Sequence, residues 1–154
     1  MEMTVSVGRG TAVKRDPLVI VTGCSSDSHT WNLVFLQLLL EELGYRVLNL
    51  GSCVPEDLLI AECLARRPVL LVVSSVNGHG YRDGMRLISR LRERAELSRM
   101  PVVVGGKLGV SGAQSRDQLA DLVEAGFDAI FDDGAEGIAS FRRLLYSMPQ
   151  RAIA

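Results

Sequence analysis

The segment 69–73 reads Val-Leu-Leu-Val-Val, and it constrains the fold more than any other part of the chain. Successive residues of a strand face opposite sides of a sheet, so a strand formed here is apolar on both faces. Sheets that are buried on both sides are typically parallel sheets covered by helices. The segment therefore predicts a central strand of an α/β fold.

Strand-like and helix-like segments alternate along the chain, which supports the same fold. Short runs rich in β-branched residues predict strands at 18–22, 46–50, 69–74, 101–104 and 128–131. Helix-spaced apolar residues predict helices at 31–43, 56–65, 84–97, 114–124 and 135–146. Right-handed crossovers then give a Rossmann-type, doubly wound, five-stranded parallel sheet flanked by helices. Periodicity leaves the strand order open, but five strands fit the flavodoxin-like order 2-1-3-4-5.

The composition indicates one compact domain, because 47% of the 154 residues are hydrophobic and no Pro/Ser-rich or charged stretch divides them. We expect a flexible N-terminal segment at 1–16, the folded domain at 17–147 and a C-terminal tail at 148–154. The formal net charge of −1 argues against a nucleic-acid partner, and no apolar run is long enough to span a membrane. Three cysteines without CxxC spacing predict neither a disulfide framework nor a zinc ribbon, which favours the cytoplasm.

Asp27-Ser28-His29 follows the first predicted strand, at the sheet edge where open α/β folds bind ligands. In an extended segment, residues two apart point the same way, so the carboxylate of Asp27 can reach one ring nitrogen of His29. The other nitrogen then faces a ligand, as in many metal-binding histidines. Alternatively, the polar residues of this loop do no more than cap the next helix.

Two further loops leave the same edge of the predicted sheet, at residues 74–80 and 104–107. Gly105 and Gly106 would let a bulky ligand lie close to the backbone. Taken alone, two such glycines more often form an ordinary turn, and a serine such as Ser74 more often bonds its own backbone at a strand end. His79 has no neighbouring carboxylate in the sequence, so we place it at the periphery.

Taken together, these motifs resemble the cobalamin (B12)-binding domain family, whose signature is Asp-x-His-x-x-Gly, then Ser-x-Leu, then Gly-Gly. The matching residues are Asp27 and His29, Ser74 and Val76, and Gly105 and Gly106. Within that family the chain is most similar to the small (sigma) subunit of glutamate mutase, also called methylaspartate mutase. Residues 23–29, 43–51, 54–56 and 74–80 carry this closer likeness.

The resemblance implies adenosylcobalamin as the cofactor, with His29 as the axial cobalt ligand in place of the cofactor's own dimethylbenzimidazole base. Asp27 would hold the imidazole tautomer, and Ser74 would hydrogen-bond the displaced base. Gly105 and Gly106 would make room for the nucleotide tail. The full set of implied cofactor-binding residues is Asp27, Ser28, His29, Ser74, Val76, Gly78, Gly105, Gly106 and Gly134.

The chain departs from the family signature at two positions. Asn32 stands where the signature has glycine, and Val76 stands where it has leucine. Asn32 adds a side chain near the start of the helix that would flank the corrin. Acidic Asp132 and Asp133, next to Gly134, also differ from the usual family residues.

The implied function is the cofactor-binding part of an isomerase that interconverts L-glutamate and threo-3-methylaspartate by a radical rearrangement. A larger catalytic subunit, a barrel by family analogy, would hold the substrate, and this chain would be inactive alone. Two alternatives remain: a stand-alone corrinoid carrier or cobalamin sensor, and a related domain that has lost cobalamin binding. Methyl-transfer corrinoid proteins usually carry a helical cap, whereas we expect only residues 1–16 before the first strand.

Overall fold

The computed structural model describes residues 16–108, 113–132 and 134–148. Most of the predicted N-terminal segment and of the predicted C-terminal tail lies outside these residues. The strands are β1 (Leu18–Gly23), β2 (Arg46–Asn49), β3 (Leu70–Ser75), β4 (Val102–Gly106) and β5 (Ala129–Phe131). The helices are α1 (Trp31–Glu42), α2 (Glu56–Arg66), α3 (Gly80–Glu93), α4 (Ala113–Ala125) and α5 (Ala135–Ser147).

The strands form one parallel sheet in the order β2-β1-β3-β4-β5, which confirms the predicted fold and strand order. Its switch point lies between β1 and β3, where the chain reverses the direction in which it adds strands. The register pairs Gly23 with Ser74 and Ser74 with Gly105. These three residues therefore lie side by side across the carboxyl edge of the sheet.

Side chains of β3 alternate between two hydrophobic cores, as the unbroken apolar run predicts. Leu71 and Val73 pack on one face with residues of α2, α3 and α4. Leu70 and Val72 pack on the other face with residues of α1 and α5. The helices thus cover both faces of the sheet, and the strand ends at its carboxyl edge stay accessible to a ligand.

Two predicted boundaries are wrong in ways that affect the site. Helix α3 begins at Gly80 rather than at residue 84, because its first turn packs on Ser75 and the backbone of Tyr81 bonds Leu108. It ends at Glu93, and a separate 3-10 turn follows at Ala95–Leu97. Strand β4 continues through Gly105 and Gly106, whereas the sequence pattern predicts that it ends at residue 104. Both glycines are therefore held by the sheet instead of lying in a free loop.

Candidate functional site

Asp27 and His29 lie in the loop between β1 and α1, and their side chains are in contact. The Nδ1 atom of His29 is 2.7 Å from Oδ1 of Asp27, and the backbone N–H of His29 donates to the same oxygen over 3.0 Å. The Asp27 side chain is 1% exposed, whereas that of His29 is 57% exposed. A buried carboxylate thus orients an imidazole that faces solvent.

Asp27 also joins this loop to the loop after β3. Its second oxygen, Oδ2, accepts the backbone N–H of Val76 over 2.7 Å and that of Asn77 over 3.3 Å. Burial on its own raises the pKa of Asp27, but the hydrogen bonds from Val76 and His29 outweigh it and lower that pKa below the usual 3.8. Asp27 is therefore a carboxylate at neutral pH, and it favours the tautomer in which Nδ1 of His29 carries the proton.

The other ring nitrogen of His29, Nε2, has no hydrogen-bond partner among the described residues. Within that part of the chain, no three His, Cys, Asp or Glu side chains gather as a metal site. His29 is thus placed to bind a metal as a single ligand. One ligand is enough for a metal whose remaining positions are filled by a macrocycle.

A second polar network, which no sequence motif predicts, holds the same loop from the other side. The hydroxyl of Ser26 donates to the carboxylate of Asp83, which is 3% exposed in the first turn of α3. Arg86 donates to Oγ of Ser25 over 3.0 Å, and Asn77 donates to the backbone of Ser26 over 3.1 Å. No sequence motif marks Asp83, because its role depends on α3 beginning at Gly80.

A cleft lies at the carboxyl edge of β3 and β4. Its enclosed cavity volume of about 140 Å³ is smaller than the roughly 300–1,000 Å³ that is typical of complete small-molecule sites, so the cleft is narrow. Helices α1 and α5 form its sides, and its walls are mainly apolar. The lining residues include Asn32, Phe35, Leu36, Leu39, Val72, Ser74, Val76, Val103, Gly105, Gly106, Phe131, Asp132, Gly137, Ile138 and Phe141.

Glycine is required in the cleft floor for steric reasons. A Cβ atom on Gly106 would lie 2.1 Å from the carbonyl oxygen of Ser75, and the φ angle of Gly106 is +103°. A Cβ on Gly105 would lie 3.1 Å from the carbonyl oxygen of Phe131. Gly137, which we did not predict, closes the same cleft, since a Cβ there would meet the carbonyl oxygen of Asp132 at 2.0 Å.

Asn32 and Ser74 contact each other in the wall of the cleft. Nδ2 of Asn32 donates to Oγ of Ser74 over 2.6 Å. The amide oxygen of Asn32, Oδ1, is buried and has no hydrogen-bond partner among the residues that the structure describes. The residue that departs from the family signature therefore lies directly against the serine expected to bind the nucleotide tail.

The remaining predicted site residues lie at the margins. Ser28 and Gly78 are exposed, and Gly78 has a φ angle of +85° in the turn after β3. Gly134 precedes the first residue of α5 and is exposed, and it does not line the cleft. His79 precedes α3 and is exposed. Asp133 lies outside the described residues.

This fold and site define an α/β domain with a candidate ligand-binding site at the switch point of its sheet. The family model described as "B12 binding domain" matches residues 17–141. The chain therefore belongs to the B12-binding domain family, as its motifs predicted.

Similar sequences agree with this assignment. The chain is 33% identical over 120 residues to the glutamate mutase sigma subunit of Escherichia coli O157:H7, covering 77% of this chain and 78% of that protein. It is 28% identical over 116 residues to the sigma subunit of Fusobacterium nucleatum, covering 75% and 85%. Sigma subunit 1 of Haloarcula marismortui is 29% identical over 130 residues, covering 82% and 85%.

Similar solved structures support the fold. A cobalamin-binding protein from Desulfitobacterium hafniense matches with a TM-score of 0.66 at 17% identity, covering 86% of this chain and 60% of that one. The chemotaxis response regulator CheY4 of Vibrio cholerae matches with a TM-score of 0.61 at 11% identity, covering 84% and 98%. The fold alone is thus shared with proteins of different function, so the function must be argued from the site. Among the described helices, none is both long and apolar enough to cross a membrane.

The residues of the site fit a cobalt corrinoid in three respects. His29 offers one oriented nitrogen that can bind a metal, the glycines leave room along the edge of the sheet, and the narrow cleft has the apolar walls that a flat base requires. The Asn32 side chain is the one departure in the described wall that affects this fit, since it occupies space that a glycine would leave open.

Proposed function

We propose that this chain is the adenosylcobalamin-binding small subunit of a two-component glutamate (methylaspartate) mutase. The reaction is the radical interconversion of L-glutamate and threo-3-methylaspartate. The observation that carries the proposal is the buried Asp27 carboxylate, which orients an exposed His29 and also holds the backbone of Val76, a residue that lines the glycine-floored cleft. The similarity to glutamate mutase sigma subunits supports this choice within the family.

His29 would hold the cobalt through Nε2, and Asp27 keeps a ring proton on Nδ1, which turns Nε2 toward the metal. Ser74 hydrogen-bonds the base of the nucleotide tail in the cleft, and Gly105 and Gly106 leave room for the tail. Ser28, Val76, Gly78 and Gly134 belong to the surrounding loops that contact the cofactor. When bound, adenosylcobalamin supplies the radical chemistry of the isomerisation.

A larger catalytic subunit, for which we propose a barrel, holds the amino-acid substrate. His29 lies at an open edge of the sheet, so this chain alone leaves the reaction face accessible to water. Radical intermediates need a site that excludes water, which a second subunit covering this edge supplies. The chain is therefore inactive alone, and we place the two-subunit enzyme in the cytoplasm.

One observation favours a second candidate, a related domain that no longer binds cobalamin. Asn32 already hydrogen-bonds Ser74, which is the residue proposed to hold the tail. A domain of that kind binds no corrinoid, whereas a stand-alone carrier or sensor binds one without a mutase partner.

Electron paramagnetic resonance of cob(II)alamin bound to protein labelled with nitrogen-15 histidine tests the proposal. The chain has two histidines, so His29→Ala and His79→Ala form a matched pair. We expect a nitrogen coupling that changes with the label in the wild type and in His79→Ala and that is lost in His29→Ala. A coupling insensitive to the label contradicts the axial role of His29. Conversion of glutamate after addition of a large mutase subunit then tests the mutase function against the carrier alternative.

A further inference from the structure

Only one of the two polar atoms of the Asn32 carboxamide makes a hydrogen bond. Its Nδ2 atom is hydrogen-bonded to Ser74, whereas its Oδ1 atom is buried and finds no partner within residues 16–108, 113–132 and 134–148. Buried polar atoms in folded proteins nearly always have a partner, and the exceptions call for a specific explanation. Asn32 lies in the wall of the cleft, so a molecule bound there is a natural source of the missing donor.

The Asn32–Ser74 contact also determines what Ser74 can offer. Oγ of Ser74 accepts the hydrogen bond from Asn32, so its own O–H remains available as a donor. Ser74 thus presents a hydrogen-bond donor, and Asn32 presents an acceptor beside it. A bound group that satisfies both must carry an acceptor next to a donor.

We propose that Asn32 and Ser74 act as a pair that selects the lower base of the bound corrinoid. The pair favours a base with a hydrogen-bond donor beside its acceptor nitrogen, as in an aminopurine. This inference rests on the proposed cobalamin function. A dimethylbenzimidazole base has one acceptor nitrogen for Ser74. Its other ring nitrogen is bonded to ribose and its remaining substituents are hydrogen and methyl groups on carbon, so it has no N–H for Oδ1 of Asn32. Its binding leaves that oxygen desolvated and unpaired.

The rest of the described wall contributes little to this distinction. The neighbouring side chains are mainly apolar, including Phe35, Leu39 and Phe131, and they pack against either flat base equally well. Asp132 is exposed, and its Oδ1 accepts the backbone N–H of Gly134. Sites with a placed hydrogen-bonding group discriminate strongly against ligands that lack its partner, so the selectivity falls to Asn32.

Three corrinoids test the proposal: cobalamin, the corresponding cobamide with adenine as its lower base, and cobinamide, which lacks the base. Their affinities can be followed by the fluorescence of Trp31, the single tryptophan, which begins α1 and is 85% exposed. We expect the wild type to prefer the adenine cobamide over cobalamin, and Asn32→Gly to reduce that preference roughly tenfold. The affinity for cobinamide should not change. Asn32→Ala, which keeps the helix propensity of α1, should behave like Asn32→Gly.

Gln37→Ala is the matched control, because Gln37 lies on the same helix and bonds Asn49 and Glu41 outside the cleft. This variant should keep the wild-type preference. An unchanged preference in Asn32→Gly, with both cobamides still bound, overturns the inference and leaves the proposed function standing. If the wild type binds none of the three corrinoids, the proposed function fails, and the inference fails with it.

Discussion

The carboxylate of Asp27 accepts a 2.7 Å hydrogen bond from the backbone N–H of Val76, a residue 49 positions further along the chain. This bond crosses the switch point of the sheet and fixes the loop after β1 against the loop after β3. The opposite oxygen of the same carboxylate holds His29. The position of the proposed cobalt ligand therefore depends on the loop after β3 as much as on its own loop.

Replacing Asp27 with alanine should destabilise the protein, because three backbone N–H groups lose their acceptor. We expect a loss of roughly 1–3 kcal/mol in the free energy of unfolding, measured by urea denaturation. Asp57→Ala is the control, since Asp57 is 85% exposed and its loss should cost at most about 1 kcal/mol. A similar loss in both variants would contradict the role of Asp27 as a link between the loops.

The stability should fall in acid for the same reason. The folded pKa of Asp27 lies below 3.8, so the ionised carboxylate contributes stability above pH 3.8 that is lost as the pH falls through the folded value. Urea midpoints measured from neutral to strongly acidic pH should decrease less steeply for Asp27→Asn than for the wild type. Parallel curves for the two proteins would show that another carboxyl group controls the acid response.

Gly106→Ala should be far more damaging than Gly44→Ala, although both glycines have positive φ angles. A Cβ on Gly44 meets nothing within 4 Å, so that variant carries backbone strain alone, about 1–2 kcal/mol. On Gly106 the Cβ also overlaps the carbonyl oxygen of Ser75, and we expect a loss of about 4 kcal/mol or more. Thermal unfolding of the two variants tests this, and equal losses would refute the steric argument.

Asp83→Asn should weaken cobalamin binding without removing a cofactor contact. Asp83 accepts hydrogen bonds from Ser26 and Arg86, which tie the His29 loop to α3. Loss of the charge should weaken these hydrogen bonds by roughly 1–3 kcal/mol, which makes the ordered loop less stable and raises the Kd for cobalamin. The nitrogen coupling of bound cob(II)alamin should persist in this variant. Glu136→Gln, which alters an exposed ion pair with Arg143, is the control and should leave the Kd unchanged.

Most element boundaries followed from the sequence, because local patterns carry them, whereas the strand order rested on the topology that five such strands commonly adopt. The apolar run in β3 requires cover on both faces, and the order β2-β1-β3-β4-β5 agrees with that requirement. The Asp27–His29 contact was predictable for the same reason, since two residues suffice to bring the groups together. The start of α3 was not predictable, because Gly80 joins the helix through packing on Ser75 and not through an apolar period.

The sequence by itself determined the α/β class, the parallel sheet and the chemical pairing of Asp27 with His29, since each depends on residues close together in the chain. Tertiary structure decided which distant groups complete the site. Only the folded sheet places Val76 on Asp27, Ser26 on Asp83 and Asn32 on Ser74. These contacts join residues 49, 57 and 42 positions apart in the sequence. Such distant residues meet because the fold places β1 beside β3 at the switch point, and no local pattern encodes that arrangement.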